Sequence, residues 1–389
     1  MIKLPPIDLL KEQTKDSITN DVSDIKNAIL STTNEKGFEI SIVDIKEGPS
    51  YTRFYAKPVK KTKYKDIKGI EEDIALGVKS PSGSVYVTPP IQNTDTFGID
   101  VPNKQRTLIS LRNVLENGSF EKKPLSLEIP LGITNDGKIK IIDLERQPHI
   151  LIGGAVCGGK SSFLNTTINT LLLRTYPEDV KMILVDTKRV EFHYYQELPN
   201  LLCPVIYTPD QTVKAFVWLK EEMERRYSLF EKEKTKNIEQ YNEKMKASVL
   251  PYIIFAVDEL SDAMCYDPIN VEKSIITLAK LSRATGIHMI LCVQRPSTDI
   301  ITGLIKSVTP ARVCFQTMSK LDSRVVLDFT GAEVLLGRGD LLYLPPDSQS
   351  LIRAQAPFIF ESEIETVTKF IKDQAAPDYD EGLLKSIGL

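Results

Sequence analysis

The sequence predicts an α/β protein in which a small α+β domain precedes a larger domain with a mostly parallel sheet. Three observations support this fold class. From residue 149 onward, apolar runs typical of buried strands alternate with helix-like segments, as when crossover helices join parallel strands. A glycine-rich turn follows one of these runs, and an acidic pair ends another. The 389 residues, of which 42% are hydrophobic, are enough to bury the cores of two domains.

The first part of the chain is divided into two units. Residues 1–36 are expected to be a polar segment with one helical stretch at 22–30, where apolar residues recur at helical spacing. Residues 37–117 are expected to form the small α+β domain. Its predicted elements are strands at 38–43, 51–56, 85–88 and 97–101, and helices near 67–76 and from 107 onward.

The larger domain is expected to span residues 118–376 and to be followed by a short tail at 377–389. Turn signals at Gly132 and at residues 135–137 mark the segment that leads into its sheet. Continuous apolar runs are typical of parallel strands that are covered on both faces. The clearest runs are 149–153, 181–186, 252–257, 288–294 and 311–316.

The glycine-rich turn at 154–161 predicts a phosphate-binding loop. Its glycines let successive N–H groups point at phosphate oxygens, and the following helix adds the positive end of its dipole. Lys160 is expected to reach the β- and γ-phosphates of ATP, and the Ser161 hydroxyl to bind Mg²⁺. The strand-turn-helix context favours this interpretation over a chance glycine-rich turn. The expected nucleotide contacts are Gly154, Ala155, Val156, Cys157, Gly158, Gly159, Lys160, Ser161 and Ser162.

An acidic pair, Asp258 and Glu259, ends the apolar run 252–257. Open α/β sheets bind ligands at the carboxyl ends of their strands, so this pair is expected near the phosphate loop. Asp258 is expected to hold Mg²⁺ through water, and Glu259 to act as the general base toward the attacking water. A plain helix cap would explain Asp258 alone, but not an acidic pair downstream of a phosphate loop.

Composition argues against several other classes of protein. No stretch approaches the roughly 18 to 20 uncharged apolar residues of a membrane span, and the N-terminus lacks a signal-peptide core, so a cytoplasmic protein without membrane insertion is expected. The five cysteines are scattered and never spaced as Cys-x-x-Cys, which supports neither a disulfide framework nor a zinc site. The net charge of −3 argues against a wholly basic nucleic-acid coat, but permits one basic surface.

Several longer motifs lie outside these two sites. They occupy residues 4–10, 48–54, 99–104, 186–192, 286–306, 320–324 and 331–343. Together they resemble the motor of the FtsK/SpoIIIE family of DNA translocases over nearly the whole chain. The resemblance implies a RecA-like P-loop ATPase domain preceded by the α domain of that family. It also implies a homo-oligomeric ring, a hexamer, that encircles double-stranded DNA and moves it by hydrolysing ATP at subunit boundaries.

The sequence also departs from the family pattern. Family motors usually follow membrane spans and precede a winged-helix γ domain, and neither segment is found here. A bare motor is therefore expected, recruited by a membrane protein or a relaxosome protein. The phosphate loop has Val156, Cys157 and Gly158 where the family commonly has Thr-Gly-Ser, and Thr187 stands where proline is usual.

The resemblance implies roles for further residues. Gln294 ends a run that lies, in this class of motor, between the phosphate-loop strand and the Asp-Glu strand, so its amide is expected to sense the γ-phosphate. Arg283 matches the position of the family's arginine finger, which would stabilise the transferring phosphoryl group in a neighbouring subunit. Arg324 and Arg312 are the alternatives, and a surface arginine with a local ion pair is the simpler interpretation.

A motor that steps over any DNA sequence needs positive charge facing its pore and little base reading. The resemblance places two loops inside the channel, one after Gln294 and one after the run 311–316. The candidate DNA contacts in these loops are the cations Arg295, Lys306 and Lys320 and the neutral residues Thr302 and Ser319. An ordinary solvated side chain is the alternative at each position.

The main hypothesis is therefore an ATP-driven translocase of duplex DNA, serving conjugative transfer, a mobile element or chromosome partition. A protein-moving ATPase of the type VII secretion kind would share the fold, but such chains usually carry several motor modules and a membrane anchor. A nucleotide-switched DNA-binding scaffold is a third alternative. The presence of Glu259 argues against it, because a scaffold needs no general base.

Overall fold

The computed structural model of the chain describes residues 2–12, 21–88, 90–91, 94–121, 125–246, 249–348 and 350–389. Two sheets organise these residues. The elements of the first sheet and its helices are α1 (Val22–Glu35), β1 (Ile40–Glu47), β2 (Tyr51–Pro58), α2 (Tyr64–Lys68), α3 (Glu71–Gly77), β3 (Tyr86–Val87) and β4 (Phe97–Pro102). The four strands pair antiparallel in the order β1-β2-β4-β3.

The small unit has a core of its own beneath this sheet. Ile29 of α1 and Ile74 of α3 are fully buried in it together with Phe54 of β2. Helix α1, expected in a separate N-terminal segment, therefore packs as part of the small unit. The next helix, α4 (Leu111–Asn117), packs instead on the large sheet, and its Leu111 belongs to that core. The elements from α1 to β4 therefore belong to the small unit and those from α4 onward to the unit of the large sheet, and residues 103–110 are the linker between the two cores.

The second sheet is larger and carries the phosphate loop. Its strands are β5 (Glu128–Thr134), β6 (Ile139–Asp143), β7 (His149–Gly153), β8 (Val180–Val185), β9 (Tyr252–Val257), β10 (Ile287–Val293), β11 (Ala311–Phe315), β12 (Asp340–Leu344) and β13 (Ile352–Gln355). Its helices are α5 (Lys160–Arg174), α6 (Pro209–Glu233), α7 (Ile238–Met245), α8 (Leu260–Tyr266), α9 (Pro268–Leu281), α10 (Gly303–Val308), α11 (Lys320–Leu327), α12 (Glu361–Lys372) and α13 (Glu381–Ile387).

The nine strands follow the order β6-β5-β13-β12-β11-β7-β10-β9-β8. The five strands from β11 to β8 are parallel, and they are the five apolar runs identified in the sequence. The other four strands extend the sheet in antiparallel fashion beyond β11. The parallel α/β sheet is thus confirmed, and the antiparallel extension is an addition to it.

Both faces of the parallel strands are covered. Along β7, Ile150 and Ile152 belong to one buried core and Leu151 to the core on the opposite face, as the two-residue period of a strand requires. Residues 377–389, expected as a tail, include α13, which buries Leu383 and Ile387 in the second of these cores. Among the helices in the described part of the chain, none is long and apolar enough to cross a membrane.

Candidate nucleotide-binding and catalytic site

The candidate site lies at the carboxyl edge of the parallel strands. The register pairs Val293 of β10 with Gly153 of β7, and Leu291 of β10 with Val257 of β9. The segments that leave these three strands are the phosphate loop, the Asp258–Glu259 pair and Gln294. Because parallel strands end at the same edge, the structure brings these segments together. The predicted sheet order, with the Gln294 strand between the other two, is the order observed.

The phosphate loop turns sharply between β7 and α5. Gly154 and Gly159 have φ angles of 155° and 115°, which residues with side chains rarely adopt. A Cβ atom on Gly159 would meet the backbone nitrogen of Gly339 at 2.3 Å, so glycine is required there by space as well. Cys157 also has a positive φ, 63°, a conformation that costs a residue with a side chain roughly 1–2 kcal/mol. The loop thus reaches a glycine-type geometry at a position where the sequence has cysteine.

Lys160 and Asp258 form a buried ion pair at the start of α5. Lys160 Nζ lies 3.0 Å from Asp258 Oδ1 and donates to the Asp258 carbonyl oxygen at 3.1 Å. Burial alone would lower the pKa of Lys160, but Cys292, Asp258 and Glu259 together raise it above its ordinary value. The ammonium group is therefore kept charged although it is buried, as binding of a triphosphate demands.

The residues expected to hold Mg²⁺ fit that ion. Asp258 Oδ2 is buried and has no hydrogen-bond partner among the described residues. An unpaired buried carboxylate oxygen costs free energy, and a hydrated magnesium ion would satisfy it. The Ser161 hydroxyl, the second expected ligand, lines the same cavity as Glu191 and is close enough to oppose the rise that burial causes in the pKa of the Glu191 carboxyl group.

Glu259 is buried beside this pair and has partners on both oxygen atoms. Its Oε2 lies 3.0 Å from Lys188 Nζ. Its Oε1 accepts a hydrogen bond from the Ser261 hydroxyl at 2.7 Å and one from the Gln294 backbone N–H at 3.4 Å. A carboxylate held in a single orientation beside a phosphate loop can polarise a water molecule for attack on phosphorus.

Two residues of the site were not identified from the sequence alone. Lys188 and Glu191 lie in the loop at 186–192 that follows β8, and Asp186 fixes this loop by accepting the backbone N–H groups of Glu191 and Phe192 at 2.9 and 3.0 Å. Burial raises the pKa of Glu191, and the negative charge of Asp258 adds to the effect. The available signal was the position of this loop at the end of a parallel strand.

A cavity of about 610 Å³ opens over the phosphate loop. Three segments form most of the lining besides the loop: the linker between the two cores, the turn before β12, and the end of β13 with the chain that leaves it. Ser50, Glu191 and Gln294 complete the lining. The Thr107 hydroxyl is buried near this cavity without a hydrogen-bond partner among the described residues. The lining residues outside the loop are Ser50, Arg106, Thr107, Leu108, Ile109, Glu191, Gln294, Arg338, Gly339, Gln355, Ala356, Pro357 and Phe358.

Arg283 lies far from the cavity of its own chain. It precedes β10, whereas Gln294 follows this strand, and seven strand residues at about 3.3 Å each separate the two by roughly 23 Å. Arg283 is exposed, and its Nε donates to the Glu145 carbonyl oxygen at 3.0 Å. Of the alternatives, Arg324 is exposed, but Arg312 is buried in an ion pair with Asp328.

The candidate DNA contacts differ in their surroundings. Arg295 and Lys320 are exposed. Lys306 is engaged in its own chain, because its ammonium group pairs with Asp328 and only 20% of its side chain is exposed. The two hydroxyl residues serve as helix caps: Thr302 at α10, where it also donates to the Glu272 carboxylate, and Ser319 at α11.

Comparison with known proteins gives consistent matches over most of the chain. A model of the FtsK/SpoIIIE family matches residues 110–298, and a model of the FtsK alpha domain matches residues 4–103. A DNA translocase FtsK from Caldanaerobacter subterraneus subsp. tengcongensis is 42% identical over 379 residues, which are 97% of this chain and 53% of that protein. One from Campylobacter jejuni is 39% identical over 384 residues, 97% of this chain and 40% of the relative.

Solved structures share the fold at lower identity. The pCW3 conjugation coupling protein TcpA, in its monomer form with ATPγS, has a TM-score of 0.61 and 22% identity and covers 90% of this chain and 99% of its own. The cytoplasmic domain of the type VII secretion ATPase EccC from Thermomonospora curvata has a TM-score of 0.59 and 21% identity, covering 71% of this chain and 35% of its own. The chain spans about half the length of the curated relatives it matches. With its phosphate loop, its acidic pair and two matched family domains, the chain belongs to the FtsK/SpoIIIE family.

Proposed function

We propose that this chain is the motor of an ATP-driven double-stranded DNA translocase that works in the cytoplasm as a homo-oligomeric ring. The observation that carries the proposal is the joint placement of Lys160, Asp258 and Glu259 at one edge of the sheet. A phosphate-binding cation, a carboxylate with an unpaired oxygen and an oriented carboxylate base are the groups that hydrolysis of a triphosphate requires. The names of the FtsK relatives support DNA as the substrate.

Each residue of the site has a separate role in the proposed hydrolysis. Lys160 and the N–H groups of the phosphate loop hold the β- and γ-phosphates, and Glu259 orients and polarises the attacking water. Gln294 lines the cavity, and its backbone N–H contacts Glu259, which supports a role for its side-chain amide in sensing the γ-phosphate. A bound Mg²⁺, held by Ser161 and Asp258, would neutralise charge that develops on the phosphate oxygens.

The loop after Gln294 and the loop after β11 bind DNA without regard to its base sequence. Arg295 and Lys320 contact the phosphate backbone directly. Lys306 contributes only after it leaves Asp328, and Thr302 and Ser319 primarily shape the loops as caps. Backbone contacts by cations make binding salt-dependent without base preference. Duplexes of different sequence should therefore stimulate the motor equally at a given salt concentration.

The decisive experiment measures ATP hydrolysis with and without duplex DNA over a range of salt concentrations. We expect stimulation by duplex DNA that declines as salt rises, and loss of hydrolysis in Lys160→Ala. Since this variant leaves Asp258 buried without its cation, thermal unfolding must show that it is folded. Glu259→Gln serves as the second variant, because it should bind nucleotide and hydrolyse it far more slowly, with a residual rate that single-turnover measurements can follow. Equal hydrolysis with and without DNA at every salt concentration would overturn the proposal.

A further inference from the structure

The two carboxylates of the acidic pair are each matched with a lysine from a different element. Asp258 pairs with Lys160 of α5, and Glu259 pairs with Lys188 of the loop after β8, both at 3.0 Å. Adjacent buried carboxylates repel each other and lose hydration, so each needs a cation of its own. The Glu259 side chain is only 6% exposed, so Lys188, rather than bulk water, is the main partner of its charge.

Binding of a triphosphate changes this balance. Lys160 lines the cavity, so we expect its ammonium group to turn to the phosphates when they bind. Lys188 is not among the residues that line the cavity, and we expect it to stay with Glu259. The charge of Glu259 also acts on Lys160. When Lys160 moves toward the phosphates, Lys188 is the cation that keeps the Glu259 carboxylate in place.

The loop that carries Lys188 is itself fixed. Asp186 accepts two backbone N–H groups from the far end of the loop. The Thr187 hydroxyl, at the position where the family usually has proline, donates to the Asp262 carboxylate of α8. The loop is thereby closed on itself by Asp186 and anchored through Thr187 to α8, the helix that begins directly after Glu259.

We propose that Lys188 is a positioning residue that orients the Glu259 carboxylate toward the attacking water, an inference that rests on the proposed ATPase function. Lys188 acts through Glu259 and does not itself contact the nucleotide or the attacking water. Phosphoryl transfer depends mainly on placement and electrostatics and little on proton abstraction, so loss of this orientation should slow the reaction.

The test replaces Lys188 with an uncharged residue of similar length. Lys188→Met is expected to lower kcat roughly 10- to 100-fold, the usual consequence of misplacing a reacting group by about 1 Å. The affinity for a fluorescent ATPγS analogue should stay within about twofold, because no nucleotide contact is removed. Lys188→Arg should retain most of kcat, since it restores a cation to Glu259.

A double substitution separates positioning from structural damage. In a Glu259→Gln background, Lys188→Met should cause no further loss in single-turnover hydrolysis, because its effect passes through the missing carboxylate. Lys214→Met is the matched control: Lys214 pairs with Asp210 on α6 and has similar exposure, 45% against 39% for Lys188. It should leave kcat unchanged. Should Lys188→Met fail to fold, Lys188→Gln replaces it in every comparison.

Three results would overturn the inference: an undiminished kcat in Lys188→Met, loss of nucleotide affinity in the same variant, or an equal proportional loss in the Glu259→Gln background. Failure of the proposed function looks different. In that case the unsubstituted protein itself shows no DNA-stimulated hydrolysis.

Discussion

Asp258 and Glu259 follow one another in the chain, yet each contacts a lysine that the fold brings from elsewhere. The spacing of the phosphate loop was sufficient to predict Lys160, because its role follows from a short motif. Lys188 could not be predicted in this way. Its contact with Glu259 depends on β8 lying beside β9, and pairing between strands that are distant in sequence leaves no local pattern.

Cys157 offers a prediction at the same scale. It is exposed and lines the nucleotide cavity, so a maleimide adduct would occupy space that the phosphates need. We expect maleimide treatment of the nucleotide-free protein to block binding of a fluorescent ATP analogue, and bound ATPγS to protect against it. Binding is measured by fluorescence anisotropy before and after treatment.

Two variants control this experiment. Cys157→Gly should bind nucleotide and resist the reagent, and glycine at this positive φ should change the free energy of unfolding by no more than about 1 kcal/mol. Cys265→Ala removes the other exposed cysteine, on α8, and should remain sensitive. Nucleotide binding that survives full modification of Cys157 would contradict the prediction.

Among whole elements, the five parallel strands were predictable because burial on both faces makes each of them continuously apolar. The antiparallel strands have weaker signals. Strand β13 has four residues and includes the buried Arg353. Because a charged residue occupies a buried position, the sequence does not show the apolar pattern of a buried strand. Helix α13 was missed for a related reason, since its buried residues Leu383 and Ile387 are too few to establish a helical period.

The adjacent strands β7 and β10 each contribute a buried histidine. Burial lowers the pKa of His149 to about 3, and nearby His288 adds to the effect. Burial likewise lowers the pKa of His288 to about 3, with Arg226 and Arg283 contributing. The folded protein therefore keeps both rings neutral under conditions in which the unfolded chain, with a histidine pKa near 6.5, takes up protons.

This difference predicts that stability is lost in acid. Above pH 6.5 neither state binds the protons and the full stability is present. Between pH 6.5 and 3 the unfolded chain binds more protons than the folded protein, which stabilises the unfolded chain and lowers the free energy of unfolding. Each histidine should cost about 1.4 kcal/mol per pH unit in that window. Urea unfolding at several pH values between 7.5 and 5 measures the slope.

Single substitutions assign the slope to particular rings. His288→Phe keeps an aromatic ring against Tyr252, on which His288 stacks at 5.9 Å, and should reduce the slope. His193→Gln should leave it unchanged, because His193 is exposed. A slope that is the same in His288→Phe and in the unsubstituted protein would show that His288 does not carry the effect.

At the scale of the whole molecule, Arg283 and the nucleotide cavity lie at opposite ends of β10. A residue in this position cannot serve the site of its own chain, so a finger role requires a neighbouring subunit. We expect Arg283→Ala to lose hydrolysis by roughly 10³-fold or more, as for other arginine fingers. Arg283→Ala and Lys160→Ala subunits should regain part of the activity when mixed, because the first supplies an intact phosphate loop and the second an intact arginine.

The control for this mixing experiment is the double variant Lys160→Ala/Arg283→Ala, which cannot complement Arg283→Ala. Hydrolysis is measured after the subunits are mixed with duplex DNA. Activity of the Arg283→Ala and Lys160→Ala mixture that does not exceed the sum of the separate variants would contradict a role across the subunit boundary. The same measurement with Arg324→Ala tests the other exposed candidate.

The small unit is joined to the large sheet by buried charge. Arg353 of β13 donates to both oxygens of Asp340 at 3.0 and 2.7 Å and to Asp100 of β4 at 3.1 Å. Asp100 is also held by Arg53 of β2. Removal of one member would leave a buried charge unpaired, which typically costs about 3–5 kcal/mol. This ion-pair network therefore fixes how the two units meet.

The linker is tied to both units, through Thr107 to Pro49 and through Ile109 to Phe358, at 2.9 and 2.7 Å. The same linker residues line the cavity over the phosphate loop. The residues that connect the two units therefore also shape the entrance to this cavity, so we expect a substitution in the linker that alters how the units meet to change how quickly a nucleotide enters and leaves.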